Sequence, residues 1–180
     1  MQLRGDTSGF QLDIQLSAHP DSHQRSLLAE MAKASGLALV QSTDRVWQAR
    51  EELISKTTGA LLKISASISS TTRISDEIVN EGGQVVAQTV GILYATFPAA
   101  LDNPSTLPAS LELLGLSVSA DQGYATWLRG PDKQAKEMES WAPMQQGGEN
   151  VSGTAALMRE IKRQFDPNRT LNPGRFIGGI

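Results

Sequence analysis

With 180 residues the chain can bury a core of its own, and having no cysteine it excludes disulfides, Cys-ligated zinc and Cys-ligated iron–sulfur clusters. A net charge of −3 gives no field that draws in nucleic acid or acidic lipid. No apolar run approaches the roughly 20 residues of a membrane helix, and the start Met1-Gln2-Leu3-Arg4-Gly5-Asp6 lacks a signal-peptide stretch, so a cytoplasmic chain is expected. The sequons at Asn150 and Asn168 and the Arg4-Gly5-Asp6 tripeptide are then chance matches.

Phe10, Leu12, Ile14 and Leu16 alternate with polar residues, which predicts a half-buried strand. After Pro20, Asp21 and Gln24 form a capping pair for a helix carrying Leu27, Leu28 and Met31, and Gly36 stops it. Leu37 to Val40 reads as a short strand. Ser42 or Thr43 caps a helix whose Val46, Trp47, Leu53 and Ile54 fall on one side. Leu62, Ile64, Ala66 and Ile68 alternate again, which predicts another strand. Ser70-Thr71-Thr72 offers caps for a helix bearing Ile74 and Ile78, which Gly82-Gly83 ends.

From Gln84 to Phe97 the chain is rich in β-branched and aromatic residues, with Gly91 near the middle. It is a long or bent strand, or a hairpin. The stretch 103–114, with Pro104 and Pro108, holds a short helix at most. Leu114, Leu116 and Val118 alternate, Asp121-Gln122-Gly123 turns, and Tyr124 to Arg129 alternates, which predicts a second hairpin. A hairpin argues against a purely parallel, doubly wound sheet. The expected fold is α+β over one domain, 1–180: a largely antiparallel sheet with helices packed on it, of ferredoxin-like character.

The last helix, from Thr154, carries Leu157, Met158, Ile161 and Phe165 as one stripe that is expected to pack on the domain. Asp166 precedes Pro167 and ends it. Asn172-Pro173-Gly174-Arg175 reads as a type II turn, with proline setting the second position and glycine taking positive φ at the third.

The run Leu157-Met158-Arg159-Glu160-Ile161-Lys162-Arg163-Gln164-Phe165-Asp166-Pro167-Asn168-Arg169-Thr170-Leu171-Asn172-Pro173-Gly174-Arg175-Phe176 resembles the C-terminal signature of FAD-linked oxidases of the vanillyl-alcohol-oxidase type. Within them it is most similar to the FAD-binding subunit of bacterial glycolate oxidase. Tyr124 to Pro131, the charged run to Trp141-Ala142-Pro143, and Val46-Trp47 to Leu53 agree with that resemblance. The resemblance implies the cap domain of a longer subunit, whose N-terminal FAD-binding domain is absent from this chain and holds the cofactor in glycine-rich loops. FAD is therefore implied for the full-length parent and not for this chain alone. Partners implied are that N-terminal domain, a catalytic flavin subunit and an iron–sulfur subunit.

Wider relatives carry a His-x-His cluster on a strand of this domain. The corresponding stretch here, Val85 to Ile92, has neither histidine nor carboxylate, so no catalytic residue is assigned. The resemblance points to Asn172 and Arg175 as cofactor-binding, a carboxamide for the isoalloxazine edge and a cation near N1. The plainer reading makes Asn172 part of the turn and Arg175 a solvated charge. His19 and His23 are the only histidines, straddle Pro20 and lack further ligands, so no metal site is assigned. Trp47 and Trp127 read as core packing and Trp141, beside Pro143, as near-surface. The alternative to an oxidase cap is a stand-alone ferredoxin-like domain that binds a partner or ligand without catalysis.

Overall fold

The computed structural model describes residues 1–16, 22–97, 123–129, 148–171 and 173, without the side chains of 22 and 148–155. Among them, six strands form one antiparallel sheet: β1 (Gln2–Asp6), β2 (Gly9–Asp13), β3 (Leu61–Ser65), β4 (Gln84–Gln88), β5 (Ile92–Thr96) and β6 (Tyr124–Arg129). Their order is β2-β1-β4-β5-β3-β6. The helices are α1 (Ser22–Ala34), α2 (Ala49–Lys56), α3 (Thr71–Asn80) and α4 (Gly148–Phe165). The fold is α+β, as the mixture of hairpins and helices implies.

Residues opposite one another in a ladder share a face of the sheet. Leu62 lies opposite Ala95, Ile64 opposite Leu93, Val85 opposite Ala95, and Ala87 opposite Leu93 and Leu3. These small and branched side chains, with Ala125 on β6, make one apolar face. Ile74 and Ile78, one helical turn apart on α3, join them in the core. Trp127, read as core, is half-buried and packs against this cluster; Trp47 is half-buried in the turn before α2.

The opposite face carries Gln2, Arg4, Gln84, Val86, Gln88, Lys63 and Tyr94. A 3-10 turn over Asp44–Gln48 leads into α2, which lies on this side. Gln2 Nε2 donates to Val46 O at 2.6 Å, and the Arg50 guanidinium sits 5.7 Å from the Tyr94 ring centroid. Arg129, at the end of β6, donates to the Thr57 carbonyl, and to Ile54 O at 3.4 Å, so a cation satisfies the orphan carbonyls of α2.

Both helix stops read from glycine occur. Gly36 has φ 67°, with its N–H on Lys33 O and that of Leu37 on Ala32 O. Gly82 has φ 76°, with its N–H on Val79 O and that of Gly83 on Ile78 O. This pair of crossed bonds is the Schellman arrangement. The helix starts differ from expectation. Neither Thr43 nor Ser70 makes a side-chain cap bond; Ser70 Oγ instead pairs with Ser67 Oγ at 2.7 Å in a 3-10 turn over Ile68–Ser70.

Three further expectations need correction, and one strand was not expected. Leu37–Val40 forms no strand, and Leu37, Leu39 and Val40 are exposed; a short apolar run without a sheet edge to join gains nothing from extension. Gln2–Asp6 is a strand that its single large apolar residue did not announce. The strand predicted over 10–16 ends at Asp13, and its apolar residues are largely exposed because α3 covers other strands. Finally, among the described residues most of the α4 stripe is uncovered: Leu157 is 60% and Phe165 81% exposed, and only Met158 is half-buried. The first strand of the second predicted hairpin, the segment 103–114, Asp21 and Trp141 lie outside the described residues.

The segment 84–97 resolves as a hairpin. Thr89-Val90-Gly91 joins β4 to β5, and Gly91 takes φ 79° with its N–H on Gln88 O at 3.1 Å. Its carbonyl accepts Ala66 N–H at 2.9 Å, which pins the end of β3 to the turn. A Cβ at Gly91 would run into the Ala66 carbonyl oxygen. Gly91→Ala therefore combines a left-handed backbone with a clash and should cost about 2 kcal/mol or more, read from urea unfolding. Gly36→Ala, at positive φ but with open space around it, should cost no more than about 1–2 kcal/mol.

Candidate functional site

Two regions qualify as a site: the turn after α4, and a cleft on the polar side of the sheet. Asn172 and Arg175, the predicted site residues, lie outside the described residues, but the chain leading to them does not.

Helix α4 ends at Phe165 because Asp166 precedes Pro167. The Asp166 side chain is 5% exposed and gathers the residues after it. It accepts Thr170 N–H at 2.8 Å, Thr170 Oγ1 at 3.0 Å and Leu171 N–H at 2.9 Å. Lys162, one turn back, pairs with it at 2.6 Å and donates to Leu171 O at 2.6 Å. Arg169 N–H closes on Asp166 O at 3.0 Å, with Arg169 itself at φ 53°. The five residues after Asp166 are thus wound around its carboxylate.

The hydrogen bond from Lys162, then the Leu171 N–H, with the Thr170 groups in support, outweigh desolvation and hold the Asp166 carboxyl well below its ordinary range. Sequence pattern alone marks Asp166 only as a helix stop. The overlooked signal is an aspartate before proline with threonine four residues on, the pattern of a side chain that binds backbone N–H groups ahead of it.

The cleft has a volume of about 570 Å³ and lies among β1, the β1–β2 turn, α2, the start of β4 and the end of β5. Its ionisable side chains already have partners. Arg4 holds Asp13 through Nε at 2.6 Å and Nη2 at 2.8 Å; Glu52 takes Lys56 at 2.8 Å; Asp6 accepts Ser8 N–H at 2.8 Å. Burial pushes the Asp13 carboxyl up, but the hydrogen bonds from Arg4 and Gln2 and the Arg4 charge outweigh it, so the group lies below its usual value. Asp6 also accepts the Ser8 hydroxyl at 2.5 Å, and the hydrogen bonds from the Ser8 hydroxyl and N–H hold its carboxyl below its usual value.

Residues 136–176 match the family model of FAD linked oxidases, C-terminal domain. Of that span, the described part is α4 and the Asp166 turn, so the match takes in the wound loop. No curated protein matches the chain, and no solved structure does.

FAD needs a cradle of backbone N–H groups for its pyrophosphate, best at a helix N-terminus. Among the described residues, the paired glycines Gly82-Gly83 close the C-terminal, electronegative end of α3. That glycine pair is therefore not the N-terminal cradle that a pyrophosphate takes. His23 is exposed on α1, and no cluster of three metal-ligating side chains occurs among the described residues. No helix among them is long and apolar enough to cross a membrane. Val85 and Ala87, in the stretch compared with the His-x-His strand, are buried in the core, so those positions of β4 pack rather than react.

A carboxyl with a lowered pKa lends stability above its unfolded value of about 3.9 and loses it as pH falls through the folded value. The Thr170 and Leu171 amide proton shifts should therefore stay constant from neutrality to about pH 4 and move only in stronger acid. Asp166→Asn keeps the shape but loses the ion pair with Lys162. It should speed exchange of those two amides several-fold while leaving the amides of β3 and β5 protected.

Proposed function

We propose that the chain is the cap domain of an FAD-binding subunit similar to that of bacterial glycolate oxidase. The observation that carries this reading is the coincidence of the family match over 136–176 with the turn wound on Asp166. That turn is tied at both ends, so the residues just beyond it leave from a fixed point. Asn172 and Arg175 then serve the flavin ring, the carboxamide at its edge and the guanidinium as a counter-charge. The pyrophosphate is held by an N-terminal FAD-binding domain, in keeping with the glycine geometry of α3. When bound, FAD supplies two-electron oxidation of a 2-hydroxy acid to the 2-oxo acid. Electrons pass onward through a catalytic flavin subunit and an iron–sulfur subunit, in a cytoplasmic complex. The cap contributes no acid or base, in line with paired charges in the cleft and packing residues on β4.

The test combines two measurements. The chain is mixed with the FAD-binding domain of a glycolate-oxidase FAD-binding subunit, and the flavin retained after gel filtration is compared with that domain alone. Retention should rise, and Arg175→Ala should abolish the gain while shifting the stability of the isolated chain by less than about 0.5 kcal/mol. No association, with no gain in flavin, would instead favour a stand-alone binding domain without catalysis.

A further inference from the structure

Strand β2 has β1 on one side and, among the described residues, no strand on the other. The two-residue loop Thr7-Ser8 makes Asp6 and Gly9 the closing, hydrogen-bonded pair of the β1–β2 hairpin. Alternation then turns the backbone groups of Gly9, Gln11 and Asp13 towards β1. Those of Phe10 and Leu12 face outward. The close approach of the Phe10 ring to Gly5, its opposite number, fits a non-hydrogen-bonded pair at that position.

Native sheets protect such an edge with proline, an inward-pointing charge, a bulge or a cover. None of the first three is present: the strand is Gly9-Phe10-Gln11-Leu12-Asp13, and its pairing with β1 runs without a register shift. Phe10 is 42% and Leu12 50% exposed, on the same face. The one charge, Asp13, is already neutralised by Arg4 on the β1 side.

We propose that the free edge of β2 is a self-pairing surface, at which a second copy of this chain adds its own β2 antiparallel to the first. With Gln11 on the two-fold axis, Phe10 stands opposite Leu12 of the second copy, and Leu12 opposite its Phe10. The outward N–H and C=O groups are those that a hydrogen-bonded pair at 10 and 12 requires, and they supply four main-chain bonds. The same register gathers the exposed side chains of Phe10 and Leu12 from both copies into one apolar patch. The two Gln11 side chains meet on the polar face, and each Gly9 gives room to an Asp13 whose charge is already matched. Five residues a side make a small interface, so the dimer is weak and concentration-dependent.

Sedimentation velocity on the 180-residue chain, at concentrations rising to about 0.5 mM, tests this. The mass should move from one chain towards two. Leu12→Lys places a charge in the apolar patch and should keep the chain monomeric throughout. Leu12→Pro removes an N–H that β1 does not use, so it should spare the hairpin and also abolish association. Circular dichroism checks that each variant keeps its sheet, and the lysine variant decides the matter if the proline variant unfolds. A wild-type chain that stays monomeric at every concentration overturns the proposal, as does a dimer that a folded Leu12→Lys variant leaves intact.

Discussion

The structure rests on burial of one face of a six-stranded sheet, and among the described residues a single short helix supplies most of the cover. Ile74 and Ile78 reach into a surface of Leu62, Ile64, Leu93, Val85 and the alanines between them. Because the strand residues are small or branched, the sheet and α3 can approach closely. The central strands β4, β5 and β3 receive this cover, and the periphery receives less. That imbalance explains why β2 carries exposed apolar residues and why the other face can stay polar.

The polar face has consequences of its own. Gln2, Arg4 and Asp13 form a network in which each charge is met, and Gln2 carries the network across to the turn before α2. The network fixes α2 against the sheet and walls the cleft. A domain built in this way can shape and cover a neighbouring reaction centre. Its C-terminal segment is similar to that of FAD-linked oxidases, whose redox chemistry is that of a flavin.

Much of the fold was legible wherever one face of an element is buried. Leu62 and Ile64 announce β3, Ile74 and Ile78 announce α3, and the glycines at 36 and 82 announce two helix ends. Periodicity was misleading where apolar residues are not buried, as at Leu37 to Val40 and along α4. A regular stripe reports amphipathicity, not what covers it. β1 was invisible because its strand character comes from two neighbours, β2 and β4, and not from its own side chains. Asn172 and Arg175 lie outside the described residues, and the organising role of Asp166 just before them was not legible. Hydrogen bonds from one carboxylate to residues four and five positions ahead depend on the left-handed step at Arg169, which no propensity foretells.

The central claim is that the turn wound on Asp166 is built to hold the next residues of the chain against a flavin. The most direct measurement is the rate of flavin release from the subunit assembled with its FAD-binding domain, for the native cap and for Asp166→Asn. The account predicts faster release in the variant while the amides of β3 and β5 stay protected. Release at the native rate, with exchange of the Thr170 and Leu171 amides clearly accelerated, would contradict it.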